Sequence, residues 1–237
     1  MILYICLSPA LYPFYKKEND TVIVVDIFRA CTTICTAFAN GASAIIPVAD
    51  IEEAKRYKSQ GYPVGAERNT KKCDFADFGN SPFDYTREKV EGKEIVFTTT
   101  NGTYAIEQSR GCKTLLIGAF SNIDALAKKC IEIGERTVII CAGWNNRVNI
   151  EDTLFGGAFA EKLLIENPVN FDSDAVKIAL QLWQSAKHDP LNYIKDTEHY
   201  QRLIDNKAEG DASFCLQQNT INLVPYYDRV EEKLKID

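Results

Sequence analysis

The sequence has few histidines and lacks the closely spaced cysteine pairs that build most zinc and redox sites. Its 237 residues include two histidines, His188 and His199, and the eight cysteines contain no CxxC pair. This scarcity argues against a zinc site. No apolar run approaches the roughly 20 residues that cross a membrane, and the opening segment MILYICLSPALYPFY lacks a signal peptide's basic start and cleavage site. We therefore expect a cytoplasmic protein with reduced thiols and no membrane partner.

Positive charge is also scarce. Lys and Arg total 27 against 33 Asp and Glu, which gives a formal net charge of −6 without any basic cluster. A nucleic-acid partner requires a basic face, so we expect instead a small anion that is held by a few local cations. The length fits a single domain over residues 1–237. Composition leaves open whether the chain forms a homo-oligomer.

What the sequence does contain is a regular alternation of short apolar runs with amphipathic stretches. Five apolar runs are each followed by a helical pattern: VIVVDI, SAIIPVA, EIVFTT, TLLIGAF and TVIICAG. This alternation predicts an α/β protein with a mostly parallel sheet and helices on both faces. The glycines at positions 41, 61, 111 and 134 follow predicted helices, where left-handed caps are common. After about residue 172 we predict two helices, and then SFCLQ and TINLVPYYD as a last strand and tail.

The segment VVDIFRACTT places polar residues where a predicted strand gives way to a helix. Ligands of open parallel sheets bind at the carboxyl ends of the strands, and helix N-termini bind phosphate. Arg29 would add paired donors to such a site, and the hydroxyls of Thr32 and Thr33 would add two more. The segment equally fits an ordinary turn, in which Asp26 caps the helix and Arg29 is a surface charge.

The segment TTTNGT (98–103) has a similar character. Asn-Gly often forms a hairpin turn, but the following TYAIEQS is helical in character. A strand-turn-helix arrangement would place Thr100, Asn101 and the amide of Gly102 at the same rim as Asp26. Glycine at this position allows a ligand to approach the backbone closely.

The loop after TVIIC supports two different chemistries. Cys141 and Arg147 have the C-x5-R spacing of phosphatases that use a cysteine nucleophile. Against this, no histidine precedes Cys141, and the thiol continues an apolar run that reads as buried strand. The acids Glu151 and Asp152 follow in the same loop, where they would either bind a hard cation or cap a helix.

Residues 65–85 are rich in Gly, Asn, Asp and Pro, so we predict an irregular loop there. This loop contributes Glu67, Arg68, Asn80 and Ser81. Long loops in compact domains are often functional. Acids beside arginines in four loops indicate a metal-assisted reaction on a small phosphorylated molecule.

Taken in order, these motifs resemble the 2-phosphosulfolactate phosphatase family. The resemblance runs from about residue 20 to residue 230 and rests on the following segments: VVDIFRACTTICTAFANGA, GAERN, DFGNSP, TTTNGT, CAG, NIEDTLFGGA, HYQRL, SFCLQ and VPYYD. It implies a three-layer α/β/α fold and a Mg²⁺-dependent acid phosphatase. Such an enzyme would hydrolyse 2-phospho-3-sulfolactate to 3-sulfolactate and phosphate, a step in coenzyme M biosynthesis.

The resemblance also implies roles for individual residues. Metal binding falls to Asp26, Glu67, Glu151 and Asp152, and the reaction centre to Asp26, Arg29 and Glu151. Substrate binding falls to Arg68, Asn80, Ser81, Thr100, Asn101 and Gly102, and the residues themselves add Thr32, Thr33 and Arg147 as candidates. Two departures from the family pattern are Ala66, which replaces a common glycine, and the loop WNNRVN.

Within this scheme Asp26 is either a metal ligand or the nucleophile. Arg68 and Arg147 are expected to hold the acid end of the substrate, because guanidinium groups pair well with oxyanions. One of the two would otherwise be a surface ion pair. A different class of function, a protein that binds a phosphorylated or sulfonated metabolite without hydrolysing it, also fits the arginines.

Overall fold

The computed structural model describes residues 1–166 and 173–237. Ten strands are present in these ranges: β1 (Ile2–Cys6), β2 (Thr21–Val25), β3 (Ala44–Pro47), β4 (Val64–Arg68), β5 (Lys71–Lys72), β6 (Glu94–Thr98), β7 (Thr114–Gly118), β8 (Arg136–Cys141), β9 (Tyr226–Asp228) and β10 (Lys233–Lys235).

The helices in the same ranges are α1 (Tyr12–Tyr15), α2 (Ala30–Ala39), α3 (Ile51–Ser59), α4 (Arg87–Val90), α5 (Gly102–Ser109), α6 (Ile123–Ile133), α7 (Ile150–Glu166), α8 (Asp174–Ala186), α9 (Pro190–Tyr193), α10 (Glu198–Asp205) and α11 (Glu209–Cys215). The helix predicted after TVIICAG extends to residue 167, and this last position lies outside the described residues. Within the described part of the chain, every helix is too short or too polar to cross a membrane.

The strands form one sheet in the order β1-β8-β2-β7-β9-β10-β3-β6-β4-β5. Two blocks of parallel strands, β1-β8-β2-β7 and β3-β6-β4, make up most of it. The hairpin of β9 and β10 lies between the blocks and is antiparallel to its neighbour on each side. The prediction of a mostly parallel sheet is therefore confirmed.

Both faces of the sheet are buried, as the strand β2 shows. Ile23 and Val25 belong to a core that includes residues of α6, α7 and α8, whereas Val22 and Val24 belong to a second core with residues of α2 and α5. All four side chains are fully buried. Apolar residues on both faces of a strand need a helix layer on each side, which is the predicted three-layer α/β/α arrangement.

The blocks run in opposite directions across the β9–β10 hairpin, because each of the three pairings through it is antiparallel. Loops that follow β2 and β8 in one block nevertheless meet the loop that follows β6 in the other. Asn101, after β6, accepts a hydrogen bond from the backbone N–H of Asn145, after β8. The predicted rim is therefore formed by the carboxyl ends of strands from both blocks, not by one edge of a single parallel sheet.

Four local predictions are wrong. Residues 65–85 do not form an irregular loop throughout, since β4 and β5 pair there as a hairpin. SFCLQ lies mainly in α11 instead of a strand, and the segment predicted as the second late helix is divided into α9 and α10. Gly41, Gly61 and Gly134 have the expected positive φ, but Gly111 does not.

Candidate active site

A small cleft opens where α2 and α5 begin. It is lined by Asp26, Phe28, Arg29, Glu67, Thr70, Asn80, Asn101, Trp144 and His199. The sequence predicts five of these residues, which lie in β4 and in the segments that follow β2, β5 and β6. The structure thus brings together acids, a guanidinium and amides that are far apart in the chain.

Asp26 is the carboxylate with the fewest partners in this cleft. Its side chain is 6% exposed, and no donor in the described part of the chain forms a hydrogen bond to it. Burial, and after it the charge of Asp152, raises the pKa of Asp26 to about 8. A buried carboxylate without donors is costly in its charged form, so this side chain is suited to bind a cation.

The packing of α5 against α2 brings Asp26 close to the backbone. A Cβ atom added to Gly102 would lie 2.8 Å from Asp26 Oδ2 and 2.6 Å from the Cβ of Ala30. Only glycine leaves room for these contacts. TTTNGT therefore forms the predicted strand-turn-helix, and its glycine is required by close packing beside the carboxylate.

Two of the four acids predicted to bind metal are already fully engaged. Asp152 accepts the backbone N–H of Ile27 (2.8 Å) and of Gly143 (3.1 Å). Glu67 accepts the backbone N–H groups of Thr70 (2.5 Å) and Thr100 (3.3 Å). Both carboxylates tie loops together, although their negative charge still acts on the cleft.

Burial and the neighbouring Glu151 also raise the pKa of Asp152. Its two backbone donors favour the charged form, whereas Asp26 has none. No such donor opposes the rise in the pKa of Asp26.

Glu151 belongs to a buried pair with His199. Its Oε1 lies 2.5 Å from His199 Nδ1 and 2.8 Å from Asn149 Nδ2. Its Oε2 is buried without a hydrogen-bond partner in the described residues. The second histidine nitrogen, Nε2, remains on a ring that lines the cleft. Such a carboxylate–imidazole pair fixes the orientation of the ring and suits it to proton transfer.

Arg29 is held from two sides. Its Nη1 lies 2.6 Å from Asp211 Oδ2, and its Nη2 donates to the carbonyl of Thr70 at 3.1 Å. Asp211, on α11, also accepts from the hydroxyl of Ser81 at 2.8 Å. Arg29 thus lines the cleft as predicted, but Ser81 points to Asp211 and orients the arginine indirectly.

The hydroxyls of Thr32 and Thr33 are engaged with the backbone and do not reach the cleft. Thr32 donates to the carbonyl of Ile27 and Thr33 to the carbonyl of Asn80, and both side chains are fully buried. The Thr33 bond fixes Asn80, whose own side-chain oxygen is buried without a partner in the described residues. Thr100 similarly directs its hydroxyl to Glu67.

Arg68 and Arg147 both lie outside the cleft. Arg68 donates to the carbonyls of Glu67 and Ala49 and to the hydroxyl of Thr98, so it links the ends of neighbouring strands. Arg147 is exposed and forms an ion pair with Glu198 at 3.0 Å. Arg147 therefore forms a surface ion pair, which is the alternative given above for one of the two arginines. Arg68 instead connects the ends of neighbouring strands.

Cys141 does not have the environment of a nucleophile. Its thiol is fully buried at the end of β8, and burial raises the pKa of Cys141 well above its usual range. A reactive cysteine requires a thiolate in an electropositive, accessible site. The buried-strand reading of TVIIC is confirmed.

Sequence reasoning missed four residues that line the cleft, Phe28, Thr70, Trp144 and His199, and also Asp211, which holds Arg29. His199 was considered only as a zinc ligand, and its partner Glu151 lies 48 positions away in the chain. Thr70 has a positive φ of 70° and a buried hydroxyl without a partner in the described residues. A β-branched residue in this conformation is strained, but only the hairpin assignment, not composition, could have revealed it.

The fold and the cleft define an α/β/α protein with an acid-rich site at the carboxyl ends of its strands. The sequence model of the family described as 2-phosphosulpholactate phosphatase matches residues 6–229. The chain belongs to this family, which confirms the resemblance.

Two relatives show the extent of the similarity. The chain is 35% identical over 215 residues to a probable 2-phosphosulfolactate phosphatase of Clostridium botulinum (strain Eklund 17B / Type B). The aligned region covers 89% of this chain and 90% of the relative. It is 37% identical over 213 residues to a probable 2-phosphosulfolactate phosphatase of Thermotoga petrophila, with 90% and 91% covered.

Proposed function

We propose that this protein hydrolyses the phosphate monoester of a small 2-hydroxy acid with the help of Mg²⁺. The family and the names of the relatives favour 2-phospho-3-sulfolactate as the substrate and 3-sulfolactate and phosphate as the products. This is the reaction of a coenzyme M biosynthesis step. All eight cysteines, which lie in the described ranges, are free thiols, and this suits the reducing cytoplasm where we expect the enzyme to act.

The observation that carries the proposal is the unpartnered Asp26 carboxylate among three other carboxylates. No three His, Cys, Asp or Glu side chains within residues 1–166 and 173–237 form a ready-made metal cage. Mg²⁺ does not need one, because proteins usually bind it through one or two carboxylates while water and substrate phosphate complete the octahedron. Asp26 would hold the ion, and the ion would neutralise charge on the phosphoryl oxygens.

The phosphate would be held opposite Asp26 by donors of the chain itself. Arg29 presents a guanidinium whose position is fixed by Asp211. Asn101 uses its side-chain oxygen for Asn145, so its NH₂ group is the part that can donate to a phosphate. The backbone N–H groups at the beginning of α2 and α5 complete a site for an anion. These groups would donate hydrogen bonds to the phosphate oxygens, and the metal ion would supply the positive charge, because the charge of Arg29 is already paired with Asp211.

His199 would deliver the proton that the departing alcohol needs. The alkoxide of a 2-hydroxy acid is a poor leaving group, and a positioned acid typically accelerates such steps 10²–10⁴-fold. Glu151 holds Nδ1, so Nε2 is the ring nitrogen that would transfer the proton. In this scheme Asp26 would act on the phosphoryl group through the metal ion, and His199 would act on the leaving oxygen.

The test is phosphate release by the purified protein from 2-phosphosulfolactate and from phosphoglycolate. We expect hydrolysis that stops in EDTA and returns with Mg²⁺. Unchanged hydrolysis after metal removal would refute the metal, and tight binding of both esters without phosphate release would refute the enzyme in favour of a binding protein.

A further inference from the structure

A second pocket adjoins the reaction cleft on the far side of Trp144. The two cavities share Trp144 and His199, and the second is also lined by Arg147, Glu198 and Arg202. The sequence motifs and the proposed reaction assign nothing to Arg202. Arg202 nevertheless contacts the ring of Trp144, and the other neighbour of that ring is His199 of the cleft.

The geometry of Arg202 is that of a prepared anion contact. Its guanidinium carbon lies 4.0 Å from the centre of the Trp144 ring, and that ring lies 5.7 Å from the ring of His199. The side chain is only 22% exposed, and its Nε has no partner in the described residues. Stacking on an aromatic face fixes the plane of a guanidinium and leaves its edge for a paired contact with an oxyanion.

The present partner of Arg202 is a carboxylate that can easily leave. Glu198 lies 3.2 Å from Arg202 Nη1 and 3.0 Å from Arg147 Nη2, so one carboxylate bridges both arginines. The Glu198 side chain is 67% exposed. Because exposed ion pairs contribute little, a ligand anion could replace this carboxylate at small cost.

We propose that this pocket binds the anionic tail, a sulfonate or carboxylate, of the phosphorylated substrate through Arg202 and Arg147. Glu198 occupies the position of that anion in the free protein. This inference rests on the proposed function, because it requires the phosphate to lie in the adjoining cleft. It replaces Arg68 with Arg202 as the partner of Arg147 in recognition of the acid end.

The other acids of the pocket do not oppose this assignment. Glu151 is turned towards His199 and Asn149, and the exposed Asp196 is surrounded by solvent. When Glu198 moves out, the two guanidinium groups face the ligand beside the buried Glu151 and the exposed Asp196.

The first test measures binding of the product 3-sulfolactate by calorimetry in the presence of Mg²⁺. Arg202→Gln should weaken binding at least tenfold, and Arg202→Lys should weaken it less because the charge remains. Glu198→Gln should tighten binding several-fold, since it removes the competing carboxylate. If Glu198 only braced the arginines, the same change would weaken binding, and this result would overturn the proposal. The exposed pair Arg87–Glu91 supplies the matched controls Arg87→Gln and Glu91→Gln.

The second test compares kcat/KM for 2-phosphosulfolactate with kcat/KM for phenyl phosphate, which has no acid tail. Arg202→Gln should reduce the ratio of the two at least tenfold. An equal loss on both substrates, or wild-type protein that does not bind 3-sulfolactate, would overturn the subsite. Wild-type protein that shows the predicted binding pattern but hydrolyses neither ester would instead refute the proposed function.

Discussion

His199 Nδ1 lies 2.5 Å from Glu151 Oε1, and the two residues are the second positions of α10 and α7. The pair therefore joins the late helical segment to the sheet domain at the floor of the cleft. Asp26 and His199 line the same cleft, so the proposed reaction pairs this acid with a histidine and not with a cysteine.

The histidine leads to a prediction that depends on the leaving group. His199→Asn should reduce kcat for 2-phosphosulfolactate about 10²–10⁴-fold, since it removes the proton donor. The loss should be much smaller for p-nitrophenyl phosphate, whose leaving group needs no proton. The exposed His188 provides the control His188→Asn, and equal losses on both esters would contradict the assignment.

The raised pKa of Asp26 predicts that the free energy of unfolding depends on pH. Its pKa is 3.8 when exposed and about 8 in the fold, so the folded state binds this proton more tightly than the unfolded state does. In EDTA, the free energy of unfolding should therefore fall as pH rises from about 4 to 8. Asp26→Asn should lessen this fall and should be more stable than wild type at pH 8.

Thermal melts at several pH values would test this, with the exposed Asp74 changed to Asn as a control. Mg²⁺ should restore the stability of wild type at pH 8 but not affect Asp26→Asn. The variant should also lose several orders of magnitude of activity. If Asp26→Asn keeps its activity and its response to Mg²⁺, Asp26 does not belong to the metal site.

Cys141 should be dispensable. Cys141→Ala truncates a fully buried side chain and should cost about 1–2 kcal/mol of stability, as small core truncations do, while most activity remains. Iodoacetamide should leave the native enzyme active, because the thiol is neutral and inaccessible. A folded but inactive Cys141→Ala protein would move the reacting centre to this cysteine.

Gly102 should tolerate no side chain. In Gly102→Ala the new Cβ would meet Ala30 and the Asp26 carboxylate at less than 3 Å, which should cost about 1–3 kcal/mol and displace Asp26. A displacement of about 1 Å can reduce turnover 10²-fold. Gly210→Ala is the control, because its Cβ would have no neighbour within 4 Å. Denaturant unfolding and turnover measure the two effects.

Thr70 should show a trade-off between stability and activity. Thr70→Gly relieves a positive φ of 70° and should gain about 0.5–1 kcal/mol, after the greater chain entropy of glycine is counted. It also removes a buried hydroxyl from the cleft, so turnover should fall. Asn69→Gly, at the exposed neighbouring position with a φ of 53°, should gain stability without this loss.

The parts of the fold that could be predicted were those with a strong local pattern. TVIVV and TVIIC are continuous apolar runs, and only a strand buried on both faces explains them. The β4 strand was missed because VGAER combines one large apolar residue with glycine and two charges. This strand is buried because it pairs with β6, and a pairing between distant segments leaves no local pattern in the sequence.

Site residues could be predicted from the sequence where they directly follow a predicted strand. Asp26, Arg29 and Asn101 lie where the strand-to-helix transitions indicate. The sequence could not show that the hydroxyls of Thr32 and Thr33 donate to carbonyls, because hydrogen-bond partners are set by packing. It also could not join His199 to Glu151, since the intervening helices fix that contact.

The β9–β10 hairpin has a consequence for the order of folding. Residues 226–235 supply the only strands that join the two parallel blocks of the sheet in the described part of the chain. Both blocks and every residue that lines the cleft precede this hairpin in the sequence, so the blocks are synthesised before the strands that join them. A chain cut before residue 226 would therefore possess every residue of the cleft and yet lack the strands that join the two blocks.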